Sequence, residues 1–379
     1  MPDTSVKIYQ STDTGMPSIT GLAGGILSAL DLLVYGSSTL TVSTLVVYND
    51  VATVTVSAGH GLTMIGAIGP VVTIAGATPA GLNGEWRLAS IPNSTTCTFA
   101  TSGIPNQTAT GTITVKRAGA GWTKPYSGTN KAVYQNAGTG FCLRVDDSAT
   151  GAAKVRGYES MTDVDTGVDP FPTVAQMASL YWMKSTVADG TARPWWIAAD
   201  DKAFWLFVAN NPSYPSSYGV FYFGDYNRIY PVDAYACAIF GSDSSANSGQ
   251  GYNEATSVQA GHFIARSQDG LSKSLQFFKT RGGYAGTQPG WMGSTVYSTT
   301  TGLAPTVATP LLIVTTENSN TMPRGILPGV FSVHRHPLSG TQGDMISDGN
   351  SLLMLGRGAN NNNSPSYTGL AAVKMDGWR

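Results

Sequence analysis

Along most of the chain, apolar and polar residues alternate in short runs, and a helical spacing stands out at one place. Ile26, Leu27, Leu30, Leu33 and Val34 recur at three- and four-residue intervals, with Gly24 and Gly25 before them and Gly36 after. That spacing predicts a helix over 24–35, ended by Gly36 at the C′ position, with its apolar stripe buried on the main body or on a neighbour. Residues 1–23 mix polar and small positions and read as an extended arm.

From 37 to 118 the period changes to two. "TLTVSTLVVYND", "VATVTVSA", "VVTIAGA", "GEWRLASI", "TTCTFAT" and "TGTITVKR" are short Thr- and Val-rich runs separated by Gly, Pro and Asn turns. They predict a small all-β module, a sandwich or a barrel. From 119 to 379 the runs become aromatic, among them "FCLRVDD", "RPWWIAADDKAFWLFVAN", "YGVFYFGDY", "AYACAIFG", "TPLLIVTTE" and "FSVHRHP". Each is short and bounded by Gly, Pro, Asn or Asp, which predicts antiparallel strands. A second helix is expected near 172–181, after Pro172, and the run Asn360–Asn363 reads as an exposed loop. The expected fold class is therefore all-β, mainly antiparallel and sandwich- or barrel-like, with one or two short helices. Its parts are an arm and helix (1–36) belonging to the main body, an inserted small all-β module (37–118) and a main β-rich domain (119–379). Gly36 and Gly121 are expected close in space, because a helix ending in "LLVYG" would lead naturally into "GWTKPYSGTNKAVYQ".

Composition narrows the function classes. Only 12% of residues are charged, and 22 Lys+Arg against 23 Asp+Glu give a net charge of -1. This argues against a nucleic-acid binder, which needs clustered cations. Hydrophobics at 42% and aromatics at 10% argue against disorder. A weakly charged surface rich in Gly suits a permanent assembly better than a free monomer. The longest apolar stretch, Gly24–Tyr35, is broken by Ser28 and Asp31 and is too short to span a bilayer, and no early apolar segment reads as a signal peptide. Cys97, Cys142 and Cys237 are odd in number and far apart, so they read as free buried thiols of a chain made in a reducing compartment.

Several motifs carry a resemblance. "VTIAGATPAGLNGEWRLASIPNSTTCTFAT", with Asn83, Gly84, Trp86 and Thr95–Phe99, resembles small β modules that recur in bacteriophage tail proteins. "GWTKPYSGTNKAVYQ" with "FCLRVDD", "VRGYESMTDVDTGVDPFP", "RPWWIAADDKAFWLFV", "FGDYNRIYPVDAYACAIFG", "RGILPGVFSVHRHPL" and the terminal "MDGWR" resemble, in that order, a family of tailed-bacteriophage virion structural proteins, tail or baseplate components. The resemblance implies a structural component of the virion tail, at the baseplate or tail tip, made in the bacterial host cytoplasm. It implies a homo-oligomer, a trimer or hexamer ring of C3 or C6 symmetry, docked to other tail or baseplate proteins. The arm and helix are expected to dock onto a neighbouring copy, and the 37–118 module to project towards another virion protein or the host surface. No nucleic acid, membrane insertion, cofactor or resident metal is expected, and the protein is expected not to be an enzyme.

The sequence holds no phosphate-binding Gly-rich loop, Gly-x-Ser-x-Gly elbow or His-Glu-x-x-His. His334 and His336 would share one face of a strand, where two imidazoles can hold a metal, but strand-surface polarity is the plainer reading. Asp163, Asp165 and Asp169 resemble a calcium loop, yet Gly167 and Val168 occupy the fifth and sixth places, so an Asp-rich turn is expected. Glu159 with Asp163, or Asp200 with Asp201, are the carboxylate pairs a cell-wall hydrolase would need. Trp195, Trp196, Trp205, Tyr214, Tyr218, Phe221 and Tyr222 are the rings a glycan-binding tail protein would use, although core and subunit packing is the leading expectation. A capsid decoration protein is a further alternative. Arg144 with Asp146 and Arg156 with Glu159 are expected ion pairs, and "RPWWIAADDKAFWLFV" is expected to fold as a hairpin with Asp200–Asp201 at its tip.

Overall fold

The computed structural model describes residues 2–213, 218–243, 261–281, 308–315, 317, 322–333, 345–346, 352–358 and 369–379. His334, His336, Tyr214 and the Asn360–Asn363 run lie outside them. The fold is all-β and antiparallel, with one α-helix.

The arm carries strand β1 (Lys7–Gln10), followed by helix α1 (Gly25–Tyr35). Ile26, Ala29, Leu30, Leu32 and Leu33 form the buried stripe, and Gly36, at φ 68, donates its N–H to the Leu32 carbonyl at 3.0 Å. Both elements are docked on their own chain: β1 pairs with Trp195–Ala199, and the α1 stripe lies in the central core. The helix has a cover within its own chain, and the edge of Trp195–Ala199 supplies a partner for the arm's backbone groups.

Residues 40–117 supply all of the second sheet: β2 (Leu40–Tyr48), β3 (Val51–Val56), β4 (Val71–Ala75), β5 (Gly84–Asn93), β6 (Thr96–Ala100), β7 (Gln107–Thr108) and β8 (Thr114–Arg117). The order β3-β6-β5-β4-β8-β2 closes through β2–β3, and β7 adds to β2, which makes a small barrel. Alternation fills it from one side of each strand: Leu45 and Val47, Val54 and Val56, Val72 and Ile74, Trp86 and Leu88, Cys97 and Phe99. Trp86 stacks on Phe99 with centroids 4.6 Å apart. The chain leaves for the barrel and returns from it at neighbouring points. Ser37 donates to the Arg117 carbonyl at 3.3 Å, and both Ala120 and Trp122 donate to the Leu33 carbonyl, at 2.7 and 3.4 Å. Gly36 itself lies against Arg117 and Ala118, whereas Gly121 lies against Asp201.

A six-stranded sheet follows: β9 (Thr123–Gly128), β10 (Lys131–Gln135), β11 (Cys142–Asp146), β12 (Ala152–Met161), β13 (Gly167–Phe171) and β14 (Leu180–Met183). The helix expected near 172–181 is instead a single turn leading into β14. Thr173 and Gln176 do form a reciprocal cap: the Thr173 N–H donates to Gln176 Oε1 at 2.9 Å, and the Gln176 N–H donates to Thr173 Oγ1 at 3.2 Å. One backbone bond, from Met177 to Thr173, completes the turn. The Arg156 guanidinium then takes the carbonyls of Pro172, Met177 and Ala178, the last two at 2.9 Å, and β14 pairs with β12. Tertiary bonds thus override the local helical start.

The largest sheet joins β1 to β15 (Trp195–Ala199), β16 (Ala203–Val208), β17 (Gly219–Asp225), β18 (Asn227–Arg228), β19 (Cys237–Phe240), β20 (His262–Arg266), β21 (Lys273–Arg281), β22 (Ala308–Thr315), β23 (Met322–Val333), β24 (Met345–Ile346), β25 (Leu352–Gly358) and β26 (Gly369–Lys374). The β15–β16 hairpin has the expected register, with Trp195 opposite Val208, Ile197 opposite Leu206, and Ala199 opposite Phe204. Trp195, Ile197, Phe204, Leu206 and Val208 all enter the core shared with α1 and the six-stranded sheet. The alternate positions Ala198, Trp205 and Phe207 enter a second core with Leu327, Val330, Val373 and Trp378, which the sheet forms by curling over itself as a half-barrel. At φ 68, a Cβ on Gly36 would meet the Arg117 carbonyl oxygen at 2.0 Å, whereas Gly15 (φ 79) has nothing within 4 Å. Gly36→Ala should therefore lower stability by roughly 2–4 kcal/mol and Gly15→Ala by about 1 kcal/mol in chemical denaturation; equal losses would contradict the close approach.

Candidate functional site

In a chain this poor in charge, the destination of each ionised side chain is informative. The most buried ions form interlocked groups between elements. Arg324 on β23 donates Nε and Nη2 to the two Asp233 carboxylate oxygens, each at 3.0 Å, and Nη1 to Glu317; Tyr226 adds its hydroxyl to Asp233 at 3.0 Å. The Lys184 ammonium, after β14, pairs with Asp147, and the other Asp147 oxygen accepts the Ile26 N–H at 2.9 Å, at the start of α1. Both side chains of that pair are fully buried, so removing either one would strand the other without its partner. The negative charge also complements the helix dipole.

Two arginines fasten the barrel to the arm. Arg87 on β5 donates to the carbonyls of Asp3, Gly69, Val6 and Met375, at 2.6, 3.0, 2.9 and 3.3 Å. Arg117 on β8 donates to the Ile8 carbonyl at 3.0 Å and pairs with Asp13. Lys7 pairs with Glu85 at 2.8 Å, and the Tyr9 hydroxyl donates to the Ala118 carbonyl at 2.7 Å.

The motif residues fall into the same kind of fastening. Arg266 on β20 holds Glu159 with Nε and Nη2 and reaches Asp169 with Nη2, and Lys273 also pairs with Asp169. This joins β12 and β13 to β20 and β21, with the Tyr235 ring 5.2 Å from the guanidinium carbon. The Glu159 contact is the largest cause raising the Arg266 pKa. The expected Arg156–Glu159 pair does not form. Three residues apart on one strand, the two side chains point to opposite faces, so Arg156 serves the 172–178 turn and Glu159 meets Arg266.

Glu159 and Asp163 take separate partners, for the Asp163 carboxylate accepts the N–H groups of Asp165 and Thr166, each at 2.7 Å. Asp165 pairs with Arg144 at 2.5 Å and Lys131 at 3.0 Å, and Arg144 reaches Asp146 at 3.5 Å, as expected. The three aspartates of the calcium-like motif thus face two different cation pairs and a turn. At the hairpin tip, Asp200 accepts the N–H groups of Lys202 and Ala203 at 2.9 and 2.7 Å and pairs with Arg379 at 2.7 Å, whereas Asp201 is exposed.

Trp195, Trp205, Phe221 and Tyr222 are fully buried, and Tyr218 is buried beside them, so these rings serve the core and offer no face to a sugar. Trp195 and Trp205 donate their indole N–H groups to the carbonyls of Pro17 and Pro328, at 3.0 and 2.9 Å. Trp196 is half-buried. The three cysteines are free and buried; burial pushes the Cys97 and Cys142 thiols up to about 11, away from the thiolate form. His60 is buried, accepting the Leu62 N–H on Nδ1 at 3.0 Å.

A polar cleft of about 340 Å³ lies where the 136–140 loop, the hairpin tip and the β17–β18 junction meet the terminal Arg379. Arg379 donates Nε to Asp200 at 2.7 Å, Nη1 to Asn227 at 2.9 Å and Nη2 to the Asp225 carbonyl at 2.8 Å. Nothing in the motif "MDGWR" taken alone points to this role. Arg117 and Lys184 escape notice too, although both stand two residues after a buried Val115 or Trp182, Arg117 at the end of β8 and Lys184 directly after β14. Compared with known proteins, the chain matches no family model and no curated sequence.

Arg266→Met should lower stability by about 1–3 kcal/mol, because it strands two part-buried carboxylates; an unchanged thermal midpoint would contradict the fastening. The Arg144 guanidinium, and then the Lys131 ammonium, hold the Asp165 carboxyl below its ordinary 3.8. Its contribution to stability is present above that ordinary value and is lost as pH falls through the folded-state value. Carboxyl NMR should show Asp165 titrating below 3.8 and moving up towards it in Arg144→Met; an unmoved titration would contradict the pairing.

Proposed function

We propose that this chain is a structural component of a bacteriophage tail, at the baseplate or tail tip, which works by multimeric assembly and docking to neighbouring virion proteins. The observation that carries the reading is where the resembling motifs go. "RPWWIAADDKAFWLFV" is the central hairpin, "VRGYESMTDVDTGVDPFP" holds Glu159 and Asp169 for the inter-sheet fastening, and "MDGWR" anchors the curled sheet through Trp378 and Arg379. Their chemistry goes into rigidity, which is what a stacked ring requires of its subunit.

The outward residues add to this support. On the barrel, Tyr48 stands opposite Val51 at the end of the β2–β3 hairpin with Val46 on the same face, and all three are exposed. On the large-sheet side, Val232 and Leu271 are exposed too. Exposed apolar side chains on a body of low charge favour contact with further protein surface. In this reading the barrel carries the contact with another virion protein or with the host surface. Light scattering on purified protein should give a closed trimer or hexamer, and maps of the intact particle should place the chain in the tail. A compact monomer at high concentration that binds no tail component would overturn the proposal.

A further inference from the structure

We propose that the cleft at Arg379 is a binding site for an anionic group with two or more terminal oxygens, of the phosphate or carboxylate class. Three of its eight lining residues, Lys202, Arg228 and Arg379, are cations, in a chain with only 22 Lys+Arg among 379 residues. Arg379 already shares Asp200 at 2.7 Å, but among the described residues neither Lys202 nor Arg228 has a carboxylate partner, and unpaired like charges lining one cleft repel. The one carboxylate in the wall, Asp225, is already engaged: it accepts Asn136 Nδ2 at 2.9 Å and the Thr139 N–H and hydroxyl at 2.8 Å each. A Cβ on Gly138 would meet Asp225 Oδ2 at 2.0 Å, so the loop closes directly over that oxygen. The neighbouring Asp201 has its Cβ against Gly121.

The cations keep donors to spare. Among the described residues the Lys202 ammonium makes no hydrogen bond or ion pair. Arg228 uses Nη1 alone, on the carbonyls of Pro231 and Asp233 at 3.3 and 2.8 Å. Arg379 uses one hydrogen on each of Nη1 and Nη2, which leaves the second on each. One ammonium and two guanidinium groups lining a single cleft match an oxyanion whose oxygens each accept a charge-assisted bond.

The test is titration calorimetry at low salt with inorganic phosphate and D-glucuronate as probes and D-glucose as the neutral control. Saturable binding of either anion is expected, with the better probe identifying the class. Lys202→Met should weaken it about tenfold, the effect of losing one charge-assisted bond. Lys154→Met, an exposed cation elsewhere, should leave it unchanged. Lys202 is only half-buried, so its variant is expected to fold, and the rise in thermal midpoint with phosphate gives a second reading of the same affinity. Binding of neither anion, or equal affinity in Lys202→Met and the unaltered chain, would overturn the proposal. The assembly reading is decided separately, since neither result changes the oligomeric state it expects.

Discussion

Strands β16 and β17 are buried at every position, and that two-sided burial governs the rest of the architecture. Alternation sends Phe204, Leu206 and Val208 to one core and Ala203, Trp205 and Phe207 to the other. A sheet apolar on both faces needs two covers. One face receives α1 and the six-stranded sheet, while the other is covered by the same sheet curling round through β23 and β26. Each large side chain withdrawn from water this way contributes about 1.5–3 kcal/mol, so the paired cores supply most of the driving force.

Apolar burial is indifferent to direction, and the ions supply the alignment it lacks. Arg87 and Arg117 set the barrel against the arm, Arg266 sets the six-stranded sheet against the large one, and Lys184 with Asp147 sets the helix start. Buried pairs of this kind add little net stability compared with apolar substitutes, yet removing one partner is costly. Their effect is to make one arrangement of three sheets better than its alternatives. Among the described residues the most buried ions serve this alignment, while Tyr48, Val51, Val232 and Leu271 stay exposed, which is the kind of surface the proposed assembly would use.

Much of this was legible in the residues. The i, i+3, i+4 spacing over 24–35 and the period-two runs over 37–118 gave α1 and the barrel strands, because each follows from local periodicity. The hairpin at Trp195–Val208 was legible for the same reason. What lay beyond the sequence was partnership. Arg156 and Glu159 look like a pair until strand parity separates them, and Arg266 lies 107 positions from Glu159. The helix expected after Pro172 stops at a single turn capped by Thr173 and Gln176, cut short by tertiary bonds to Arg156. The cleft at Arg379 needs four distant segments together, which no local pattern encodes.

The central claim is that the doubly buried strands are the last part of the fold to open. Native-state hydrogen exchange measures this most directly. Amides of Ala203–Val208 and Gly219–Asp225 should exchange only through global unfolding, more slowly than those of the barrel strands. Exchange from these two strands that is as fast as, or faster than, exchange from Val51–Val56 or Thr96–Ala100 would contradict the account.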